Sequence, residues 1–159
     1  MSLERYAAYF PPVLHFGSGC RAQAKAVLQE CCQPEQSRVF FVCSKRVRQL
    51  DITAALLKDL DGLIAGAQIG ISHDPTLETV EELRAAAHQC QANVFLALGG
   101  GSVIDASKTA AFLMPSQASI RESFLGQAAL PSRGLPLVAL PTTAGTGAEI
   151  TKNAVFTDV

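Results

Sequence analysis

The sequence predicts an α/β fold, a mainly parallel sheet with helices on both faces. Three observations predict it. Short apolar runs alternate with helical stretches along the chain, as at Val39–Cys43, Val94–Leu98 and Leu137–Leu140. These runs are apolar at successive positions, the pattern of central strands covered on both faces. The stretches between them are long enough for helical crossovers, which join parallel strands with a right-handed turn.

Val13–Phe16 is a short apolar strand candidate, ending in Gly17-Ser18-Gly19. Cys20 to Cys32 reads as a helix, rich in Ala, Leu, Gln and Lys. Arg38–Cys43 is β-branched and aromatic, hence a buried strand. Asp51 is placed to N-cap a helix running to about Asp59, closed by Gly62. Gln68–Ser72 is the next strand candidate. Asp74 is expected as an N-cap with Pro75 at the first helical position. Leu77, Val80, Leu83 and Ala87 then mark one face of a helix to about Cys90. After the Val94–Leu98 strand, a helix runs from about Val103 to Leu113 and stops at Pro115. Leu137–Leu140 stops at Pro141, and Asn153–Asp158 is a last strand candidate.

Composition narrows the function classes. The 159 residues are one ordinary domain by length. They are 48% hydrophobic and 17% charged, enough apolar material for a core and too little charge for disorder. A net charge of −1 gives no steering toward nucleic acid or an anionic membrane. No apolar run approaches membrane-span length, and Met1–Tyr9 has no apolar segment of the secretory kind. The five cysteines are odd in number and form no C-x-x-C, so reduced thiols in the cytoplasm are expected rather than disulfides or a zinc site.

Ligands of such sheets bind outside the carboxyl ends of the strands. Gly99-Gly100-Gly101-Ser102 follows a strand there and opens a helix. Glycines let the backbone approach a bulky anion, and the free N–H groups and dipole of the helix start favour phosphate. Asp105 and Lys108, one turn on, read by themselves as a solvated i,i+3 pair. Pro141-Thr142-Thr143-Ala144-Gly145-Thr146-Gly147 follows the next strand and offers hydroxyls that can grip ribose, pyrophosphate or a carboxamide. Gly17-Ser18-Gly19-Cys20-Arg21-Ala22 matches the dinucleotide fingerprint, but the place of its acidic ribose partner is taken by Ser44. We read that glycine pair as a helix-entry turn. His15, His73 and His88 have no second ligand at metal spacing; His73 alone lies at a strand end.

Gly99–Lys108 closely resembles the GGGSxxDxxK signature of the iron-containing alcohol dehydrogenase family, and Pro141–Thr151 resembles its PTTAGTGSEVT segment. Phe16–Gly19 and Asp74-Pro75-Thr76 resemble weaker landmarks of the family. The resemblance covers the whole chain. It implies a Rossmann-like, NAD- or NADP-dependent oxidoreductase acting on small-molecule alcohols or aldehydes. Residues 1–159 would be its dinucleotide-binding domain, breaking off before a C-terminal helical domain. In the family that second domain holds a divalent metal, Fe or Zn, through one Asp and three His, so no metal ligands are expected here and this chain alone is expected to be inactive. Catalytic residues would lie in the second domain. The Gly99–Ser102 loop would hold the pyrophosphate, and Thr142, Thr143 and Thr146 the phosphate, ribose and nicotinamide side. Ser44, Asp74 and Asp105 complete the expected cofactor site. Ser44 stands where the family often has Asp, Asp74 where it often has Asn, and Ala148 where it has Ser. A homodimer or larger homo-oligomer is expected, with no nucleic-acid or membrane partner. Two alternatives stay open: a related reaction, either maleylacetate reduction or hydroxyacid–oxoacid transhydrogenation, or a non-catalytic nucleotide-binding module. The Thr-rich loop argues against synthase chemistry like that of dehydroquinate synthase.

Overall fold

The computed structural model describes residues 13–32 and 37–158; the Met1–Tyr9 segment lies outside them. Four strands, β1 (Val39–Cys43), β2 (Ile64–Ile69), β3 (Val94–Gly99) and β4 (Leu137–Pro141), form one sheet in the order β2-β1-β3-β4. Every pairing is parallel. The helices are α1 (Ala24–Cys31), α2 (Lys45–Arg48), α3 (Asp51–Asp59), α4 (Leu77–Gln89), α5 (Gly101–Leu113) and α6 (Ile120–Phe124).

The unbroken apolarity of β1 and β3 has the expected cause: all their residues are buried. Because side chains alternate along a strand, Phe40, Val42, Phe95 and Ala97 enter one core with α4 and α5. Val39, Phe41, Cys43, Val94, Leu96 and Leu98 enter a second core with α1 and α3. The rings of Phe40 and Phe95 meet edge to face at 5.4 Å across the two central strands. Leu77, Val80, Leu83 and Ala87 are the buried stripe of α4. Each such side chain contributes roughly 1.5–3 kcal/mol if fully buried, or less when it is as small as alanine. All five cysteines are free thiols, and burial pushes that of Cys43 up to about 11.

Several elements differ from expectation. The second strand is Ile64–Ile69, not Gln68–Ser72. Its small residues conceal it in the sequence, and they are needed: a Cβ on Gly66 would come within 2.8 Å of Cys90 Sγ at the end of α4. The strand ends where Gly70, at φ 104°, turns the chain away. Helix α4 is capped by Thr76, whose hydroxyl accepts from the Thr79 N–H at 3.2 Å, rather than by Asp74; Pro75 lies outside the helix. Asp51 is the first residue of α3 and Leu50 its N-cap, because α2 runs almost directly into α3. There the Thr53 hydroxyl donates to the Val47 carbonyl at 2.6 Å.

Val13–Phe16 is not a strand; no described strand pairs with it, and Phe16 is 96% exposed. Asn153–Asp158 makes one bridge only, Thr157 to Thr76. Strand β4 pairs with β3 alone and is half-buried, so it is an edge among the described residues and not a central strand. Two short helices escape the sequence reading. Ser44 caps α2, and a Ser119–Glu122 capping box opens α6. The Glu122 carboxyl is held below its ordinary range by hydrogen bonds from the Ser119 hydroxyl and then the Ser119 backbone N–H.

Candidate functional site

Strand β3 ends at Gly99, Gly100 is the N-cap, and α5 starts at Gly101. The N-cap has no side chain to occupy the first N–H groups of the helix, and the first backbone closure is Ile104 N–H to the Gly100 carbonyl at 3.1 Å. An uncapped helix start of this kind leaves donors and a positive dipole end at the carboxyl edge of the sheet.

The three glycines have different neighbours. A Cβ on Gly99 would lie 2.7 Å from Val103 Cβ, so Gly99 lets the first turn of α5 fold closely over the strand end. Cβ atoms on Gly100 and Gly101 would lie 3.1 Å from Thr143 Oγ1 and 3.2 Å from Thr146 Cγ2. These two glycines therefore admit the threonine loop. The loop is anchored by the Thr142 N–H donating to the Gly99 carbonyl at 2.9 Å, and Gly145 and Gly147 turn it at positive φ. Thr142, Thr143 and Thr146 are exposed. The two sequence motifs thus form one continuous surface.

Beside that surface, on the α4–α5 side, lies a cleft of about 430 Å³. It gathers Asp74, Gly101, Ser102, Asp105 and Thr146 of the expected site. His73 joins them, and its carbonyl accepts a hydrogen bond from the Ser102 hydroxyl. Thr151, Asn153 and Thr157 also line the cleft, and the sequence reading missed them as site residues. Their polarity just after the Gly-Thr loop is the signal that could have found them.

Asp105 and Lys108 are not a solvated pair. Their side chains are 13% and 21% exposed and meet at 2.9 Å. Lys108 Nζ also donates to the carbonyls of Ala148 and Thr151, both at 3.0 Å, and Asp105 Oδ2 accepts from the Val155 N–H at 3.2 Å.

Ser44 stands apart, just past the end of β1, whose Cys43 pairs with Leu98. Its hydroxyl accepts from the Val47 N–H at 3.3 Å. Lys45 and Arg46 are exposed, and the Lys45 stem lies against Gly70. The glycine pair at Gly17 and Gly19 leads straight into a 3-10 turn at Cys20–Gln23 and then α1, as a helix-entry turn does. Among the described residues, no three His, Cys, Asp or Glu converge as metal ligands. A metal therefore does not fit the residues described here.

A parallel sheet whose strand ends carry a glycine turn, an uncapped helix start and a facing hydroxyl loop is the architecture of a dinucleotide-binding α/β protein. The sequence profile of iron-containing alcohol dehydrogenases matches residues 11–159, and the chain belongs to that family. Long-chain-alcohol dehydrogenase 1 of Geobacillus thermodenitrificans is 28% identical, over 98% of this chain and 39% of its own length. Lactaldehyde reductase of Escherichia coli is 30% identical, over 87% of this chain and 37% of its own. The crystal structure of sulfoacetaldehyde reductase from Bifidobacterium kashiwanohense, in complex with NAD+, matches with a TM-score of 0.86 and 28% identity. That match covers 99% of this chain and 41% of the other. The chain thus spans about two fifths of the length of these relatives.

Proposed function

We propose that residues 1–159 are the nicotinamide-dinucleotide-binding part of an enzyme that passes hydride between NAD(P) and a small alcohol or aldehyde. The observation that carries this is the contact of the uncapped α5 start with the Thr142–Thr146 loop. The residues fit the cofactor. The N–H groups of Gly101, Ser102 and Val103 suit a pyrophosphate, and the exposed hydroxyls of Thr142, Thr143 and Thr146 suit phosphate, ribose and the nicotinamide side. Asp74 and Asp105 border the adjoining cleft. When bound, the cofactor supplies the hydride chemistry; these residues bind and orient it.

Ser44 bears on the choice of cofactor. An acidic residue at this strand end accepts from ribose hydroxyls and repels a 2′-phosphate. Ser44 has no such charge, and Lys45 and Arg46 follow it. NADP+ is therefore expected to bind at least as tightly as NAD+. Ser44→Asp is a clean probe, since Asp caps a helix as well as Ser. It should weaken NADP+ by about tenfold or more, about 1.4 kcal/mol, relative to NAD+. Calorimetry of both nucleotides on both proteins checks this. A wild type that strongly prefers NAD+ would contradict it, and binding of neither would contradict the nucleotide site itself.

The chain alone is expected to be inactive. In the family reaction a Lewis acid on the substrate oxygen would favour alkoxide formation and hydride release, and the described residues offer no converging ligand set. Cytoplasmic location is supported by the free thiols; no described helix is long and apolar enough to cross a membrane. Exposed Phe124, Leu125 and Leu130 favour self-association into dimers or larger species. Purified chain with NADH or NADPH, aldehydes and added Fe²⁺ or Zn²⁺ should show no turnover and no stoichiometric metal, and sedimentation should show oligomers. Turnover above background would contradict the first expectation, and a monomer the second.

A further inference from the structure

From these contacts we infer that Asp105 and Lys108 are positioning residues, a half-buried tether that holds residues 148–155 against α5 as one wall of the cleft, and that Lys108 is not a phosphate ligand. A lysine two turns into a helix that opens on a glycine turn invites the opposite reading, since an ammonium there is a natural partner for phosphate. Its donors decide the matter. An ammonium has three N–H donors. Two of those of Lys108 go to the carbonyls of Ala148 and Thr151 at 3.0 Å each, and Asp105 Oδ1 stands 2.9 Å from Nζ as its ion-pair partner. A phosphate would have to share the ammonium with the Asp105 carboxylate, whose charge already offsets it. Asp105 places Oδ1 in the ion pair, and its Oδ2 accepts from the Val155 N–H at 3.2 Å.

The carbonyls that Lys108 holds lie 40 and 43 residues further along the chain. The tether therefore crosses between elements and does more than stabilise α5. Charge-assisted hydrogen bonds in a half-buried setting are stronger than their surface counterparts. Ser102 performs the matching task on the other wall, donating to the His73 carbonyl. The first two turns of α5 thus fix both walls of the cleft, while the pyrophosphate position is left to backbone N–H groups.

The test compares Lys108→Met, Asp105→Ala, the double variant and Lys108→Arg with wild type. Amide hydrogen exchange is measured without nucleotide, and NAD+ and ADP affinities by calorimetry. The nucleotide arm rests on the proposed cofactor site; the exchange arm does not. In Lys108→Met and Asp105→Ala, exchange across residues 148–155 should rise about tenfold, with β1 and β3 unchanged. The double variant should be no worse than either single one, as expected of groups acting as a unit. Lys108→Arg should restore protection. NAD+ affinity should fall about tenfold in Lys108→Met, while ADP, which carries a pyrophosphate and no nicotinamide, keeps its affinity. Unchanged exchange at 148–155 would overturn the tether, whether or not nucleotide binds. Equal losses for ADP and NAD+ with exchange unchanged would assign Lys108 to the phosphate instead. Should Lys108→Met not fold, Asp105→Ala and Lys108→Arg still decide through the exchange of Val155, the amide that Asp105 holds.

Discussion

Gly100→Val is expected to lower NAD+ affinity by about a hundredfold or more, about 2.7 kcal/mol, while leaving the fold in place. The backbone at Gly100 is extended, at φ −82° and ψ −172°, which a β-branched residue adopts without strain. The cost comes from what the side chain meets. Its Cβ would lie 3.1 Å from Thr143 Oγ1 and 3.4 Å from Thr143 Cγ2, and the two methyl groups extend further. The exposed threonine loop must move aside, which separates the two halves of the proposed site. Thermal unfolding should shift only by the loss of a tolerable N-cap residue, about 1 kcal/mol. Gly99→Val is a useful contrast, because its Cβ would meet Val103 at 2.7 Å inside the packed helix–strand contact. That variant should lose stability as well as binding. Unchanged NAD+ affinity in Gly100→Val would put the pyrophosphate elsewhere.

Phe95→Ala should cost about 3–5 kcal/mol of stability. Phe95, the second residue of β3, is fully buried, packs edge to face on Phe40, and belongs to the core shared with α4 and α5. Domains of this kind have only about 5–15 kcal/mol in total, so the variant should be partly unfolded at 37 °C. Urea unfolding measures the loss. Leu130→Ala, at a residue 60% exposed, should change stability by less than about 0.5 kcal/mol. Similar losses for the two variants would mean that the core has been wrongly located.

Strands β1 and β3 were readable because burial on both faces writes a continuous apolar run, with no helical periodicity to confuse it. Strand β2 was not, since Ala65-Gly66-Ala67 carries almost no strand signal, and at Gly66 a Cβ would run into Cys90. The α4 stripe was readable through its spacing, while its cap was misplaced because Asp74 and Thr76 are both good caps and only tertiary position separates them. At the site, the glycine turn and the threonine loop were visible as motifs. Their mutual contact was not, because it depends on the pairing of β3 with β4. The Lys108 tether was hidden for a related reason. Two of its three partners are backbone carbonyls, which any residue supplies, and they lie far along the chain.

The central claim is that a dinucleotide lies across the Gly100–Ser102 turn and the Thr142–Thr146 loop. Amide spectra of the isotopically labelled chain, recorded while NAD+ is added, test it most directly. The account predicts saturable shifts at Gly101, Ser102, Thr143 and Thr146, with smaller ones along the cleft at Asp74 and Asp105. Shifts confined to the N-terminal glycine pair at Gly17–Arg21, or to the opposite end of the sheet at Arg38 and Asn93, or no shifts at all, would contradict it.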